Sequence, residues 1–332
     1  MGKGFGVCSI VALLAVGWLS ATDLTPKTPI LAEVRAGERV TFRLPCPSGQ
    51  RGIVTLTPLD GDADLFLLPS LETPLERATQ KSAGIALQAE RLVLSALKEP
   101  TEKWVAVKGV TPTRFLLTVQ WTKRQIRQQP SQTKVIAVQW QDIQFSDAVA
   151  LGAVTVGNRT PIWYEVQVRA SGMEKAPQGA SFLLGPNGTR YLGWVALPTG
   201  GRLTVTAQRT QKADIVFVVD LICRLVAGNA LAPDLTVAVD DLLPHLTPLL
   251  PVAEAVRKGD WRQASAKLAA AIRKSPQTLR TLHAFLQRAG GSLSLPLLGS
   301  RLNAGFGALS ATIAAIAAAN SPSQESVTLA WQ

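Results

Sequence analysis

The stretch KWVAVKGVTPTRFLLTVQW, residues 103–121, decides the fold class. Val105 and Val107 alternate with Ala106 and Lys108; Phe115, Leu117 and Val119 alternate with Leu116 and Thr118. Successive side chains of a strand point to opposite faces, so this period of two predicts antiparallel strands, each with one wet face. Upstream, Val54 and Leu56 alternate with Thr55 and Thr57, and Leu65 to Leu68 is a continuous apolar run. With Pro and Gly as punctuation, residues 22–121 read as a β-sandwich.

The apolar run is preceded by three acidic residues. In DGDADLFLLPS (60–70), Asp60, Asp62 and Asp64 fall on alternate positions, the opening spacing of a calcium loop. The rest of the EF-hand pattern fails, because Leu65 stands where the turn glycine belongs and Leu71 where the bidentate Glu belongs. Two readings stay open. Asp60, Asp62 and Asp64 join backbone oxygens in a sandwich-type calcium site, or they form a polar turn with Asp64 facing solvent. The polar turn is the simpler of the two.

Taken together, GDADLFLLPS (61–70) and KWVAVKGVTPTRFLLTVQW (103–121) resemble the bacterial pre-peptidase C-terminal domain. That pattern has an acidic Asp-x-Asp-Leu-aromatic strand, then Trp-x-Val-x-Val-x-Gly and a closing Thr-Leu-Thr-Val-like strand. The match covers residues 22–121, less than a third of the chain. The resemblance implies a small β-sandwich of the kind appended to secreted enzymes, usually peptidases, with calcium or extracellular polymers bound by some members. No peptidase domain accompanies it here, so the companion activity is not carried over.

Beyond it, residues 122–134 (TKRQIRQQPSQTK) read as a basic linker, in which Lys123, Arg124, Arg127 and Lys134 would touch an anionic envelope surface. Strand candidates follow at 135–140, 148–156, 163–170, 190–197 and 202–208. In WYEVQVRA (163–170), Tyr164, Val166 and Val168 share one face and Glu165, Gln167 and Arg169 the other. These predict a second sandwich. ADIVFVVDLICRLVAG enters the next part as a strand or a buried helix, and from 233 helical spacing dominates. Trp261, Leu268 and Ile272 make one stripe, and Leu279, Leu282 and Leu286 another. AGFGALSATIAAIAAA (304–319) reads as a buried helix rich in small residues. The final SVTLAWQ returns to period two, and a lone strand needs a sheet to join. The expected organisation is a sandwich at 22–121, a linker at 122–134, and a second sandwich at 135–232 plus 325–332 carrying a helical insertion at 233–324.

At the other end, Lys3, the apolar run from Val7 to Leu19 and the small pair Ser20-Ala21 have the three-part pattern of a secretory signal at 1–21. Retention as an N-terminal anchor is the rival, because Leu19 is not small. Either implies export to the periplasm, cell surface or medium.

The net charge of +11 invites a nucleic-acid reading, yet residues 22–121 carry 12 basic against 11 acidic side chains and no basic cluster is interleaved with aromatics. Nucleic acid is therefore not an expected partner. Of three cysteines, Cys8 lies in the signal, and Cys46 and Cys223 either pair or stay buried as thiols. The two histidines, His245 and His283, lack the companions of a metal or nucleophile site, and no GxSxG or Walker motif follows a strand. The Asn158 and Asn187 sequons read as turn residues.

The expectation is a non-catalytic envelope or extracellular protein that binds a protein or polymer at the cell surface. It has no cofactor, or calcium alone. Two alternatives stand beside it: a carrier holding an apolar ligand or lipid in the helical block, and a secreted enzyme without a short motif.

Overall fold

A computed structural model of the chain describes residues 11–12, 22–26, 28–84, 86–172, 180–228, 239–288 and 322–332. The expected export signal lies, apart from Val11–Ala12, outside the described residues, as does the 304–319 segment.

The first half is a sandwich of two sheets. One runs in the order β1 (Val11–Ala12), β2 (Ile30–Val34), β9 (Thr113–Thr122), β4 (Arg51–Pro58) and β7 (Glu90–Leu94). The other runs β3 (Arg39–Cys46), β8 (Thr101–Gly109), β5 (Ala63–Leu68) and β6 (Gln80–Ser82). Val54, Leu56, Leu65, Leu67, Val105, Val107, Phe115, Leu117 and Val119 meet in its core, as their alternation requires. The unbroken apolar run in β5 has a separate cause. Leu65 and Leu67 face that core, while Phe66 and Leu68 are buried on the outer face under Leu75, Ala78 and Trp104. A strand covered on both sides has no wet face and hence no alternation.

The second half is also a two-sheet sandwich. Its smaller sheet is β11 (Ile136–Phe145), β12 (Val149–Asn158) and β15 (Thr189–Pro198). Its larger sheet runs β10 (Ile126–Gln129), β17 (Gln324–Trp331), β16 (Arg202–Gln208), β13 (Tyr164–Ser171) and β14 (Ala180–Leu184). Tyr164, Val166 and Val168 are buried, as their spacing predicts. β17 lies between β10 and β16 and pairs antiparallel with both. The helices thus sit in the chain between two adjacent strands of one sheet, which is the insertion expected from the last strand.

The basic segment 122–134 departs from the linker expectation. Residues Ile126–Gln129 form the edge strand β10, and the Glu325 carboxylate accepts the backbone N–H groups of Lys134 (2.8 Å), Val135 (2.8 Å) and Ile136 (3.0 Å). An edge strand needs backbone partners on one side only, so it forms without an apolar stripe.

The helical block opens ahead of the expected 233, with α1 (Gln211–Ala227) inside the stretch assigned to the second sandwich; it is capped by Thr210, whose Oγ1 accepts from Ala213 N–H. Ile215, Val216, Val218, Val219, Ile222 and Cys223 are all fully buried, which is why the sequence is apolar all round. The buried Asp220 ties α1 to the sandwich, accepting from Trp163 Nε1–H (3.0 Å) and pairing with Arg224 (3.1 Å). The block continues with α2 (Val239–Leu246), α3 (Leu250–Arg257), α4 (Trp261–Lys274) and α5 (Pro276–Arg288). Pro276 starts α5, and Leu268, Leu282 and Leu286 are buried. Cys46 and Cys223 are separate buried thiols; burial raises both pKa values, that of Cys223 to about 12 with help from the Asp220 charge.

Candidate binding face

The acidic turn is held together by its own loop. Asp60 accepts from the Arg114 backbone N–H (2.7 Å) and Nε–H (2.6 Å), and these two contacts hold its carboxyl below the usual carboxylate range. The Asp62 carbonyl accepts from Val110 and Thr111 N–H and from Thr113 Oγ1–H, while Asp64 pairs with Lys81 at 3.7 Å. Gly61 has φ +68, and a Cβ there would collide with the Pro112 carbonyl, so the DGD turn requires glycine. Among the described residues no group of three or more His, Cys, Asp or Glu is arranged to hold a metal. His245 offers its backbone carbonyl to Thr278 Oγ1–H at 2.6 Å.

Beside this turn lies a group that sequence reading missed. Glu90, 3% exposed, receives Leu65 N–H on Oε2 at 2.9 Å and Gly84 N–H on Oε1. Burial pushes its carboxyl up to about 6 from the ordinary 4.5; the two N–H donors oppose the shift, and the nearby Asp64 and Asp62 charges add to it. A raised pKa means that the folded state binds the proton more tightly than the unfolded chain. Ionisation therefore removes stability as pH climbs through about 4.5 to 6. The first sandwich should gain about 1 kcal/mol between pH 7 and pH 5 from this group. Denaturant melts at both pH values should show that gain reduced in Glu90→Gln; an equal gain in wild type and variant would clear Glu90.

Asn158 is a turn residue of an unusually committed kind. It is buried, its Nδ2 donates to the carbonyls of Ile162 (2.7 Å), Leu184 (3.2 Å) and Gly185 (2.9 Å), and its Oδ1 accepts from Thr160 N–H (2.9 Å) and Oγ1–H (2.8 Å). Asn187 adopts φ +53, the left-handed conformation expected of Asn-Gly.

The first sandwich has a groove of about 660 Å³ at one end, lined by Pro26, Arg43, Pro45, Pro47, Pro100 and Trp121. The second sandwich offers a different surface. Val154 and Val156 of β12 point into the core, so Ala153 and Thr155 face out. Thr155 lies in register with Gln139 on one side and Tyr191 on the other; Ala153 lies between Gln141 and Trp194. Tyr191 is 55% exposed and Trp194 is 72% exposed. These two aromatics are three residues apart and would point to opposite faces of a regular strand. A β-bulge brings them together. Leu192 has no partner on β12, Gly193 pairs with Val154, and Gly193 has φ +98. A groove of about 570 Å³ on this face is lined by Gln128, Gln139, Gln141, Ala153, Thr155 and Tyr191 among others.

No family model matches the chain, and no curated protein matches it. Among solved structures it is similar to the pre-peptidase C-terminal domain of a collagenase from Bacillus anthracis, at 11% identity and TM-score 0.26, covering 32% of this chain and 100% of that one. It is also similar to a GH2 β-galacturonidase from Eisenbergiella tayi (8% identity, TM-score 0.21, 53% of this chain and 34% of that one). A third is a β-galactosidase described as putative from Bacteroides fragilis (14% identity, TM-score 0.19, 53% and 31%). The chain spans about a third of the length of these glycosidases. Likeness at this level assigns no activity. Among the described residues no helix is long and apolar enough to cross a membrane.

Proposed function

We propose that the chain is an exported, non-catalytic binding protein that attaches to a partner outside the cytoplasm through the outer face of β11, β12 and β15. The observation that carries this reading is the pair Tyr191 and Trp194, exposed side by side on a sheet face. Large exposed aromatics are uncommon on a surface with no partner, and they are enriched where binding occurs. Here the backbone departs from regular pairing to keep both on one face. A sheet face also suits binding better than turnover, because catalysis profits from closing water out and this groove lies open along β11 and β12.

The test is cosedimentation of the purified full chain with envelope and extracellular polymer fractions of the producing cells. Trp194→Ala should cut the retained fraction about tenfold. Its exposed side chain makes folding insensitive to the change, which circular dichroism would verify. A variant that sediments like wild type places binding elsewhere.

A further inference from the structure

We propose that the ligand of this face is an uncharged glycan chain, an inference that rests on the binding-face reading above. The two rows across the sheet are Gln139–Thr155–Tyr191 and Gln141–Ala153–Trp194. None of the six is charged, on a chain whose net charge is +11. A polyanion would be met by basic side chains, and the one arginine beside Tyr191, Arg190, stacks over the Phe182 ring at 4.4 Å. A lipid or an apolar protein surface would be met by aliphatic groups, and Ala153 is the only aliphatic side chain in the two rows.

The two rows thus present two rings, two amides, a hydroxyl and a methyl, with Leu151 and Ala196 in the next row outward. A sugar ring is built to match such a surface. One face of a pyranose presents C–H groups that pack on an aromatic ring, while its rim presents hydroxyls that both donate and accept. Gln side chains carry two donors and two acceptor lone pairs, and Thr adds a group that does both. The groove beside Tyr191, which Val138 and Trp140 also line and Trp194 does not, has a volume of about 570 Å³, within the ~300–1,000 Å³ range of small-ligand sites. Tyr191 and Trp194 face residues two apart on β12, so their backbone positions stand about 7 Å apart along the sheet. That separation places them under successive units of one chain and not under a single ring. The bulge at Leu192–Gly193 is then a positioning device, since a regular strand would turn one ring inward.

The test is affinity electrophoresis of the full chain through gels containing neutral polysaccharides (hydroxyethylcellulose, galactomannan, laminarin) or the anionic polymers alginate and heparin. At least one neutral polymer should retard the chain, equally at low and high salt. Tyr191→Ala and Trp194→Ala should each weaken that retardation about tenfold. Gly193→Ala, whose Cβ meets nothing within 4 Å but whose φ is strained, should weaken it while leaving melting of the first sandwich unchanged. The proposal is overturned if only the anionic polymers retard the chain and salt abolishes the effect. It is also overturned if retardation survives both aromatic variants, or if no gel retards the chain. Where Trp194→Ala abolishes cosedimentation yet no neutral polymer retards the chain, the glycan is wrong and the face stands. Where neither assay responds to Trp194→Ala, both fall.

Discussion

A chain truncated before Gln324 should lose the second sandwich altogether, while the first keeps its own transition. β17 is an interior strand, bonded to β10 on one side and β16 on the other, so its removal exposes two edges at once. It also takes away Val327, Leu329 and Trp331, all buried, and the Glu325 carboxylate that holds three backbone N–H groups of the 134–136 segment. Trp331 packs against Phe145 at 6.1 Å between ring centroids and donates its Nε1–H to the Ser146 carbonyl at 3.2 Å. Each large apolar side chain contributes about 1.5–3 kcal/mol by burial. The three together approach the ~5–15 kcal/mol by which a whole domain is stable. Calorimetry should show one transition for the truncated chain and two for the full chain. Melting that matches the full chain would contradict the insertion topology.

The second large effect belongs to the first sandwich. Phe115 is fully buried and meets Phe42 edge to face, with ring centroids 6.3 Å apart at 84°. Phe115→Ala should destabilise this sandwich by about 3–5 kcal/mol, through lost transfer energy and the cavity left behind. The loss should appear in the first sandwich's transition with the second almost unmoved, since Phe42 and Phe115 belong to a core distinct from that of Tyr164, Val205 and Trp331. A shift of both transitions by the same amount would mean that the two halves melt as one unit.

Much of this architecture was legible because burial writes itself into spacing. Phe115, Leu117 and Val119 are buried at every second position of β9, whereas in β8 the small Ala106 is also buried, on the outer face with Phe66 and Leu68; the closing strand betrayed itself by alternating after a helical stretch. Where burial leaves no spacing, the sequence was mute. Ile126–Gln129 is an edge strand of Ile, Arg and two Gln, so polarity and charge suggested a linker. α1 is apolar on all sides, so strand and helix could not be told apart by period. The proposed binding face was hidden for a third reason. RYLGWVAL reads as a strand, and period two then puts Tyr191 and Trp194 on opposite faces. Only the glycine between them hinted at a bulge. The Asp60–Asp64 turn drew attention by its charge, whereas the buried carboxylate beside it, Glu90, lies 26 residues after Asp64 and could be found only by folding the chain.

Binding through the outer face of the second sandwich is tested most directly by hydroxyl-radical footprinting of the full chain, with and without the polymer it cosediments with. Labelling of Tyr191 and Trp194 should fall sharply on binding, while Leu71 and Leu87, exposed on the first sandwich, stay as reactive as before. Protection confined to the first sandwich or to helices α2–α5, with Tyr191 and Trp194 still fully labelled, would contradict it.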